Sequence, residues 1–189
     1  MIKERHWWVL FFLLFAVGLS TWLTFSVGNQ KKQNTPEEDA LDSFATQVHV
    51  TTLDKMGRIS TQLYTSELKH YTKHNNTQLQ SPELILYVKN QPAWHITANT
   101  GEIANGSEKI LLKNQVKLHQ ARGSSNEEVT VLTDELVVYP EKKIASTDQP
   151  ITLTSDTTKI SSLGMNGNLT EGALELKANA RGEYEIPAH

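Results

Sequence analysis

The chain of 189 residues contains no cysteine. This absence excludes a disulfide framework, thiol catalysis and cysteine metal sites. Aromatic side chains are scarce after the N-terminal region, and Trp94 is the last of four tryptophans. The formal net charge is −3, and no basic stripe of the kind that binds nucleic acid is present. We therefore expect neither thiol chemistry nor a nucleic-acid partner.

Motifs that carry catalysis or bind a cofactor are also missing. The sequence has no Gly-rich phosphate loop and no Gly-x-Ser-x-Gly. His70 and His74 have a spacing that would bring two imidazoles to one face of a helix. They occur at the end of a predicted strand, however, where we expect their rings to diverge. His95 is expected to point outward, opposite Trp94 and Ile96. We predict no catalytic residue, no metal site and no cofactor, and therefore a protein that is not an enzyme.

One long apolar segment stands at the front of the chain. Residues 7–27 carry no charge, and a helix of that length reaches roughly 30 Å, the hydrocarbon thickness of a bilayer. Trp7, Trp8 and Trp22 lie near its ends, where amphipathic rings favour the membrane interfaces. We predict a single transmembrane helix. A cleaved signal peptide ending at Gly28 is the alternative, but the apolar run exceeds the usual 7–15 residues.

The segments around this helix give a domain plan. The short tail 1–6, with Lys3 and Arg5, is predicted to stay in the cytoplasm. Residues 28–43 are polar and charged, so we interpret them as a tether. Residues 44–189 are predicted to form one soluble domain on the opposite side of the membrane.

The soluble region has the pattern of an all-β domain. From Val48 onward apolar residues recur with a period of two, between turn signals such as Asn105-Gly106. Offsets of 33 and 35 residues superpose several of these alternating runs, which indicates a repeat built as a solenoid or an elongated jelly roll. Two sheet faces of this kind either meet in a filled core or line a slightly open groove. The pattern alone leaves both open.

Several motifs in the second half of the chain resemble the LptC family of lipopolysaccharide-export proteins. Residues 94–101, WHITANTG, and 110–118, ILLKNQVKL, are similar to two consecutive strand motifs of that family. Residues 164–169, GMNGNL, and 181–185, RGEYE, are similar to its C-terminal motifs, and Gly57 matches an early hairpin glycine. Gly101 stands where the family often has alanine.

The resemblance implies a fold, a function and partners. The expected fold is an elongated periplasmic β-jellyroll, a slightly open antiparallel sandwich, behind one inner-membrane helix. The expected function is to receive lipopolysaccharide from the ABC transporter complex LptB/LptF/LptG and to pass it to the periplasmic bridge protein LptA. The transmembrane helix and the N-terminal β edge would meet the transporter, and the C-terminal β edge would meet LptA.

Inward-facing aliphatic side chains are the candidates for an acyl-chain groove, because they can hold and release hydrocarbon without charged contacts. These candidates are Leu63, Leu86, Ile96, Ala98, Ile110, Leu112, Val116, Leu118, Val129, Val131, Leu136, Val138, Ile151, Leu153 and Met165. The candidates for the partner interfaces are Gly57, Ile59, Gly164, Gly167, Leu174, Leu176 and Tyr184. Thr133 is expected to face outward.

Three other functions stay open from the sequence. A membrane-anchored scaffold would bind a partner protein without carrying lipid, and a filled core would favour it. A secreted carbohydrate-binding domain would need aromatic platforms, of which only Trp94 and scattered tyrosines are available. A hydrolase lacks its catalytic residues.

Overall fold

The computed structural model describes residues 41–71, 75–89, 91–104, 108–122 and 127–184. All of them belong to one compact unit, Asp39–His189. The predicted transmembrane helix, 7–27, lies outside the described residues. Among the residues that are described, no helix is long and apolar enough to cross a membrane. The first strand starts at Leu41, so the last three residues of the predicted tether are in β structure.

The described residues are all-β, as the alternation predicts. Eleven strands are present in these ranges, and every pairing between them is antiparallel. The strands are β1 (Leu41–Leu53), β2 (Ile59–Tyr71), β3 (Asn76–Gln80), β4 (Glu83–Val88), β5 (Gln91–Thr97), β6 (Thr100–Ala104), β7 (Lys109–Gln120), β8 (Val129–Tyr139), β9 (Ile144–Thr154), β10 (Thr158–Asn168) and β11 (Ala173–Tyr184).

The strands follow one another as a meander in a single sheet. β3 and β4 pair with β2 in one continuous register, so they are two halves of one long strand interrupted at Ser81 and Pro82. β5 and β6 are likewise two halves of the next long strand, interrupted at Ala98 and Asn99. β7 to β11 then add in chain order. The arrangement is therefore a meander, not a stack of solenoid units.

A row of kinks crosses this sheet near its middle. Gln47, Ser81, Asn114, Gln115 and Asn179 all have positive φ, between 48° and 65°. Such angles are uncommon in residues other than glycine and mark irregular backbone. The register also shifts in this row, between Lys113 and Val116 and between Thr133 and Val137. Each long strand therefore changes direction at the row.

Buried hydroxyl groups satisfy the carbonyl groups that the kinks release from the ladder. Thr65 Oγ1 donates to the carbonyl oxygens of Glu67 and Gln80, at 2.8 and 2.7 Å. Thr133 lies in the same relation to Glu135 and Pro150. Ser162 Oγ repeats the arrangement with the carbonyls of Gly164 and Ala178. Because a buried carbonyl without a partner is costly, these hydroxyls stabilise the kinked backbone.

The row divides the strands into two layers. The first layer contains β4, β5, the starts of β2, β8 and β10, and the ends of β7 and β9. The second layer contains β3, β6 and the remaining halves of β2, β7, β8, β9 and β10. Apolar side chains from both layers form one core cluster, which includes Leu86, Ile96, Leu112, Val138 and Met165. We call the face that carries this cluster the inner face.

Candidate lipid-carrying face and partner edges

The inner face contains nearly all of the side chains predicted to line an acyl groove. Thirteen of the fifteen candidates are buried in the core, several with no exposed surface at all. They come from both layers, so the structure brings the predicted set together. In this structure the space between them is filled by protein side chains, as in an ordinary close-packed core. The fully or nearly fully buried candidates are Leu63, Leu86, Ile96, Ala98, Ile110, Leu112, Val116, Leu118, Val131, Leu136, Val138, Ile151 and Met165.

The two remaining candidates lie where the inner face becomes accessible. Val129 and Leu153 are half-buried and pack against the edge of the core cluster. Ile160, the cross-strand neighbour of Leu153, is also half-buried. Tyr184, on the same face of β11, is 68% exposed. The inner face therefore continues toward the last strand as a partly exposed apolar strip.

Two side chains join the layers on the side away from the kinks. Lys143, in the β8–β9 turn, donates from Nζ to the carbonyl oxygen of Ser60 at 2.6 Å and to its hydroxyl at 2.9 Å. Trp94, on β5, donates from Nε1 to the carbonyl oxygen of Leu169 at 2.9 Å. We call these contacts, between Ser60 and Trp94 of the first layer and Lys143 and Leu169 of the second, the seam.

The seam holds an unusual cation. Lys143 Nζ is partly withdrawn from water, and this burial lowers the pKa of the ammonium group below its ordinary value of 10.5, while the charge of Asp54 acts in the opposite direction. Its hydrogen-bond acceptors are the neutral oxygens of Ser60 and Thr61. None of the ion pairs among the described residues includes Lys143.

The first and last strands have one unpaired edge each in the described part of the chain. β1 pairs with β2 alone, and β11 pairs with β10 alone. Twelve of the thirteen residues of β1 are exposed, and so are ten of the twelve residues of β11. A long exposed edge of this kind is a template for the addition of a strand from another chain.

The N-terminal interface candidates belong to a well-ordered hairpin. Gly57 lies in the β1–β2 turn with φ +76°, and Ile59 begins β2 with 38% of its surface exposed. Asp54 Oδ1 accepts hydrogen bonds from the backbone N–H groups of Met56 and Arg58. These bonds, together with the Arg58 guanidinium, lower the pKa of the Asp54 carboxyl. The turn thus presents Met56, which is 75% exposed, on a fixed backbone.

The C-terminal interface candidates occupy two kinds of position. Leu174, Leu176 and Tyr184 belong to β11, the strand with the free edge. Gly164 and Gly167 are buried in β10, one strand away from that edge. A Cβ on Gly167 would lie 3.0 Å from Leu174 Cδ2, so this glycine allows β11 to pack closely. The two glycines therefore belong to β10, the strand that supports β11, and do not lie at the free edge themselves.

The prediction for Thr133 is wrong. Thr133 was expected to face outward, but it is 8% exposed and points to the inner face beside Ile151. It lies two residues from Val131 on one strand, and residues with that spacing share a face. The outward neighbour is Leu132, with 49% of its surface exposed.

The outer face contains a depression that the sequence reasoning missed. Its volume is about 800 Å³, and it lies along the kinks of β8 to β11. Leu132 and Leu163 provide its apolar surface, and Asp134, Asn179 and Arg181 contribute polar groups. Two leucines at outward strand positions were one available signal, and Pro150, Gly164 and Asn179, residue types that favour irregular backbone, were another.

The histidines form no metal site in the described residues. No group of three potential ligands is present there. His70 contacts Thr77 Oγ1 through Nδ1 at 3.0 Å, and His74 lies outside the described residues. His95 faces outward as predicted and contacts Glu83 Oε1 at 2.8 Å, while Trp94 beside it is buried.

The fold and the site define a class: an all-β protein with a folded antiparallel sheet, an apolar inner face and two free edges. The family model described as "Lipopolysaccharide-assembly, LptC-related" matches residues 8–185. The chain belongs to this LptC family, and its function lies in lipopolysaccharide transport. No match was found among curated proteins.

A solved structure shows the same fold. It is LptH from Pseudomonas aeruginosa, the LptA homologous periplasmic component of the conserved lipopolysaccharide transport device, with a TM-score of 0.53 and 5% sequence identity. The similarity covers 67% of this chain and 95% of LptH. At this identity the likeness concerns the fold alone. It supports the all-β, jellyroll-like architecture that the resemblance implied.

Proposed function

We propose that this protein carries lipopolysaccharide on the periplasmic side of the inner membrane. The inner face holds the acyl chains, and the protein performs no catalysis. Lipopolysaccharide arrives from the ABC transporter complex LptB/LptF/LptG and leaves to the bridge protein LptA. Residues 7–27 anchor the protein as a single helix, with residues 1–6 in the cytoplasm, residues 28–40 as the tether and the β-domain, which begins at Leu41, in the periplasm.

The observation that carries this proposal is the course of the inner face. Apolar side chains of this face extend from β2 to β11, where the face becomes accessible: Leu153 and Ile160 are half-buried, and Tyr184 is exposed. Each buried CH₂ of an acyl chain contributes about 0.8 kcal/mol. A face of this kind retains an acyl chain through many weak contacts, none of which has to be broken as a single strong bond on release.

The two free edges supply the means of hand-over. A partner strand that pairs with β11 would extend the sheet, and its own apolar face would then continue the inner face of this protein. We assign β11 to LptA and β1, with the hairpin at Gly57, to the transporter. The two edges lie at opposite ends of the sheet order, which suits a protein placed between two partners.

A second function is favoured by one observation, the filled core. Thirteen groove candidates are buried by protein side chains, and a scaffold that joins partners by its edges would need no space for lipid. In this alternative the anchored domain binds a partner protein without carrying lipopolysaccharide. The two functions differ in whether lipid touches the inner face.

The test is site-specific photo-crosslinking in cells that make lipopolysaccharide. A photoreactive residue replaces Leu153, which is half-buried on the inner face, and in a separate variant Thr154, its exposed neighbour on the outer face. A second matched pair is Leu118, buried, and Lys117, exposed, on β7. The two positions of each pair lie on the same strand and differ only in the face of the sheet to which their side chains point.

Lipopolysaccharide adducts at Leu153 and Leu118, with none at Thr154 and Lys117, are the expected result. Adducts at none of these positions, in a protein that is folded and present in the membrane fraction, would contradict lipid carriage. That outcome would leave the scaffold as the function.

A further inference from the structure

The filled core raises a question about how an acyl chain could reach it. Leu112, Val131 and Met165 have no exposed surface, and packed interiors have no room for a hydrocarbon chain. Binding in the buried part of the inner face, beyond the half-buried side chains of Leu153 and Ile160, therefore requires the two layers to separate. The strands run through the kinks from one layer to the other, so the layers are covalently continuous on that side. Separation must occur at the seam.

Polar contacts, and not interlocked backbone, hold the seam. Lys143 Nζ donates to Ser60 and Thr61, and Trp94 Nε1 donates to the carbonyl oxygen of Leu169. None of the pairings between strands of the sheet joins β2 or β5 to β9 or β10 among the described residues. Parting the layers breaks these few hydrogen bonds, at a net cost of about 1 kcal/mol for each, and it also exposes apolar side chains of the core, whose contacts the acyl chains must replace.

Lys143 differs from the other contacts of the seam because it is charged. Its ammonium group is half-withdrawn from water, all of its hydrogen-bond acceptors are neutral oxygens, and the Asp54 carboxylate acts on it through its charge without a direct contact. A phosphate oxygen carries negative charge, so it attracts the ammonium group more strongly than a neutral carbonyl or hydroxyl oxygen does at the same distance. An anion that approached the seam would therefore compete with Ser60 for this ammonium group.

We propose that Lys143 is an anion-binding residue of the seam, which exchanges its neutral acceptors on Ser60 and Thr61 for a phosphate group of an acylated lipid headgroup. This inference rests on the proposed function. The exchange releases the β8–β9 turn from the start of β2, so that the seam parts when a ligand with both a phosphate and acyl chains is present. An uncharged lipid lacks the group that replaces Ser60, and inorganic phosphate lacks the chains that fill the opening.

The experiment uses the full chain in lipid nanodiscs, with a photoreactive residue at Leu118, which is buried on the inner face. Adduct yields are measured for phosphorylated lipid A and for its dephosphorylated form, and the ratio of the two yields is the readout. The variants are Lys143→Gln, Lys143→Arg and Lys142→Gln. Lys142 is the neighbouring, exposed lysine of the same turn and lies over the Tyr139 ring, so its removal changes the net charge equally.

We expect the unmodified chain and Lys142→Gln to prefer phosphorylated lipid A. We expect Lys143→Gln to lower that preference about two- to fivefold, the range of a partly exposed ion pair, and Lys143→Arg to retain it. Inorganic phosphate should not lower the adduct yield. A fall in yield with inorganic phosphate would overturn the assignment to a lipid headgroup.

The inference and the proposed function fail in different ways. Equal preference in Lys143→Gln and in the unmodified chain, with normal adduct yields, would refute the role of Lys143 and leave lipid carriage intact. An absence of adducts from either lipid with every variant would refute the proposed function and this inference with it.

Discussion

The ammonium group of Lys143 lies 2.6 Å from the carbonyl oxygen of Ser60, although 83 residues separate the two in sequence. The contact joins the β8–β9 turn of the second layer to the start of β2 in the first. It closes the sandwich on the side opposite the kinks. The contacts of the seam therefore contribute both to the stability of the closed form and to the control of lipid access to the buried part of the inner face.

The loss of the Lys143 proton should make stability rise at alkaline pH. Its pKa is lowered in the folded state, so between that lowered value and the ordinary 10.5 the unfolded chain binds more protons than the folded one. Stability contributed by this group is therefore gained as the pH rises through that window. Denaturant titrations at several alkaline pH values should show this rise relative to Lys143→Met, which lacks the titrating group. Parallel curves for the two proteins would contradict the prediction.

Trp94→Phe should destabilise the domain. The substitution keeps an aromatic ring but removes the Nε1 donor, so the buried carbonyl oxygen of Leu169 loses its partner. We expect the free energy of unfolding to fall by about 2 kcal/mol. The control is Tyr87→Phe, which also removes one hydrogen bond, to Gln62, but at a half-buried position. A loss for Trp94→Phe no greater than that of the control would show that the seam adds nothing to stability.

Thr133→Val should lower the stability of the domain, because it leaves carbonyl groups at a kink without their hydrogen-bond donor. Valine has nearly the same shape, but it cannot donate to the carbonyl oxygens of Glu135 and Pro150. We expect a loss of about 1–3 kcal/mol, measured by urea denaturation. Thr152→Val, at a half-buried position on the outer face, should change stability by less than about 0.5 kcal/mol. Equal effects at both positions would argue against a structural role for the buried hydroxyl.

Two glycines with positive φ should respond differently to alanine. Gly57 and Gly164 have φ of +76° and +83°, so both substitutions introduce backbone strain of about 1–2 kcal/mol. At Gly57 the added Cβ meets nothing within 4 Å, whereas at Gly164 it would lie 2.8 Å from Lys177 Cδ and 3.1 Å from the carbonyl oxygen of Thr147. The thermal midpoint of Gly164→Ala should therefore fall further than that of Gly57→Ala. A reversed order would contradict the packing at β10.

The alternation of apolar residues was sufficient to predict the strands and the inner face. Thirteen groove candidates proved to be buried together, because a period of two assigns a residue to a face wherever the pairing is regular. The kinks could not be predicted in this way. Gln47 and Gln115 carry no turn signal, and Asn114 and Asn179, which tolerate positive φ, stand inside alternating runs that predict uninterrupted strands.

The sequence repeat has a physical basis in the kinks. The offsets of 33 and 35 residues superpose Thr65, Ala98 and Thr133, and all three are buried beside the row of kinks. The repeat therefore marks successive crossings of one row, and not units of a solenoid. The seam could not be predicted, because Lys143 and Ser60 belong to elements whose approach depends on the folding of the whole sheet.

The most direct test of the account follows lipid from this protein to LptA. Lipopolysaccharide is loaded onto the full chain in nanodiscs, with the photoreactive residue at Leu153, and purified LptA is added before illumination at increasing times. If the inner face is a relay, the adduct at Leu153 declines with time while lipopolysaccharide accumulates on LptA. An adduct that does not decline, with no lipopolysaccharide on LptA, would contradict the relay.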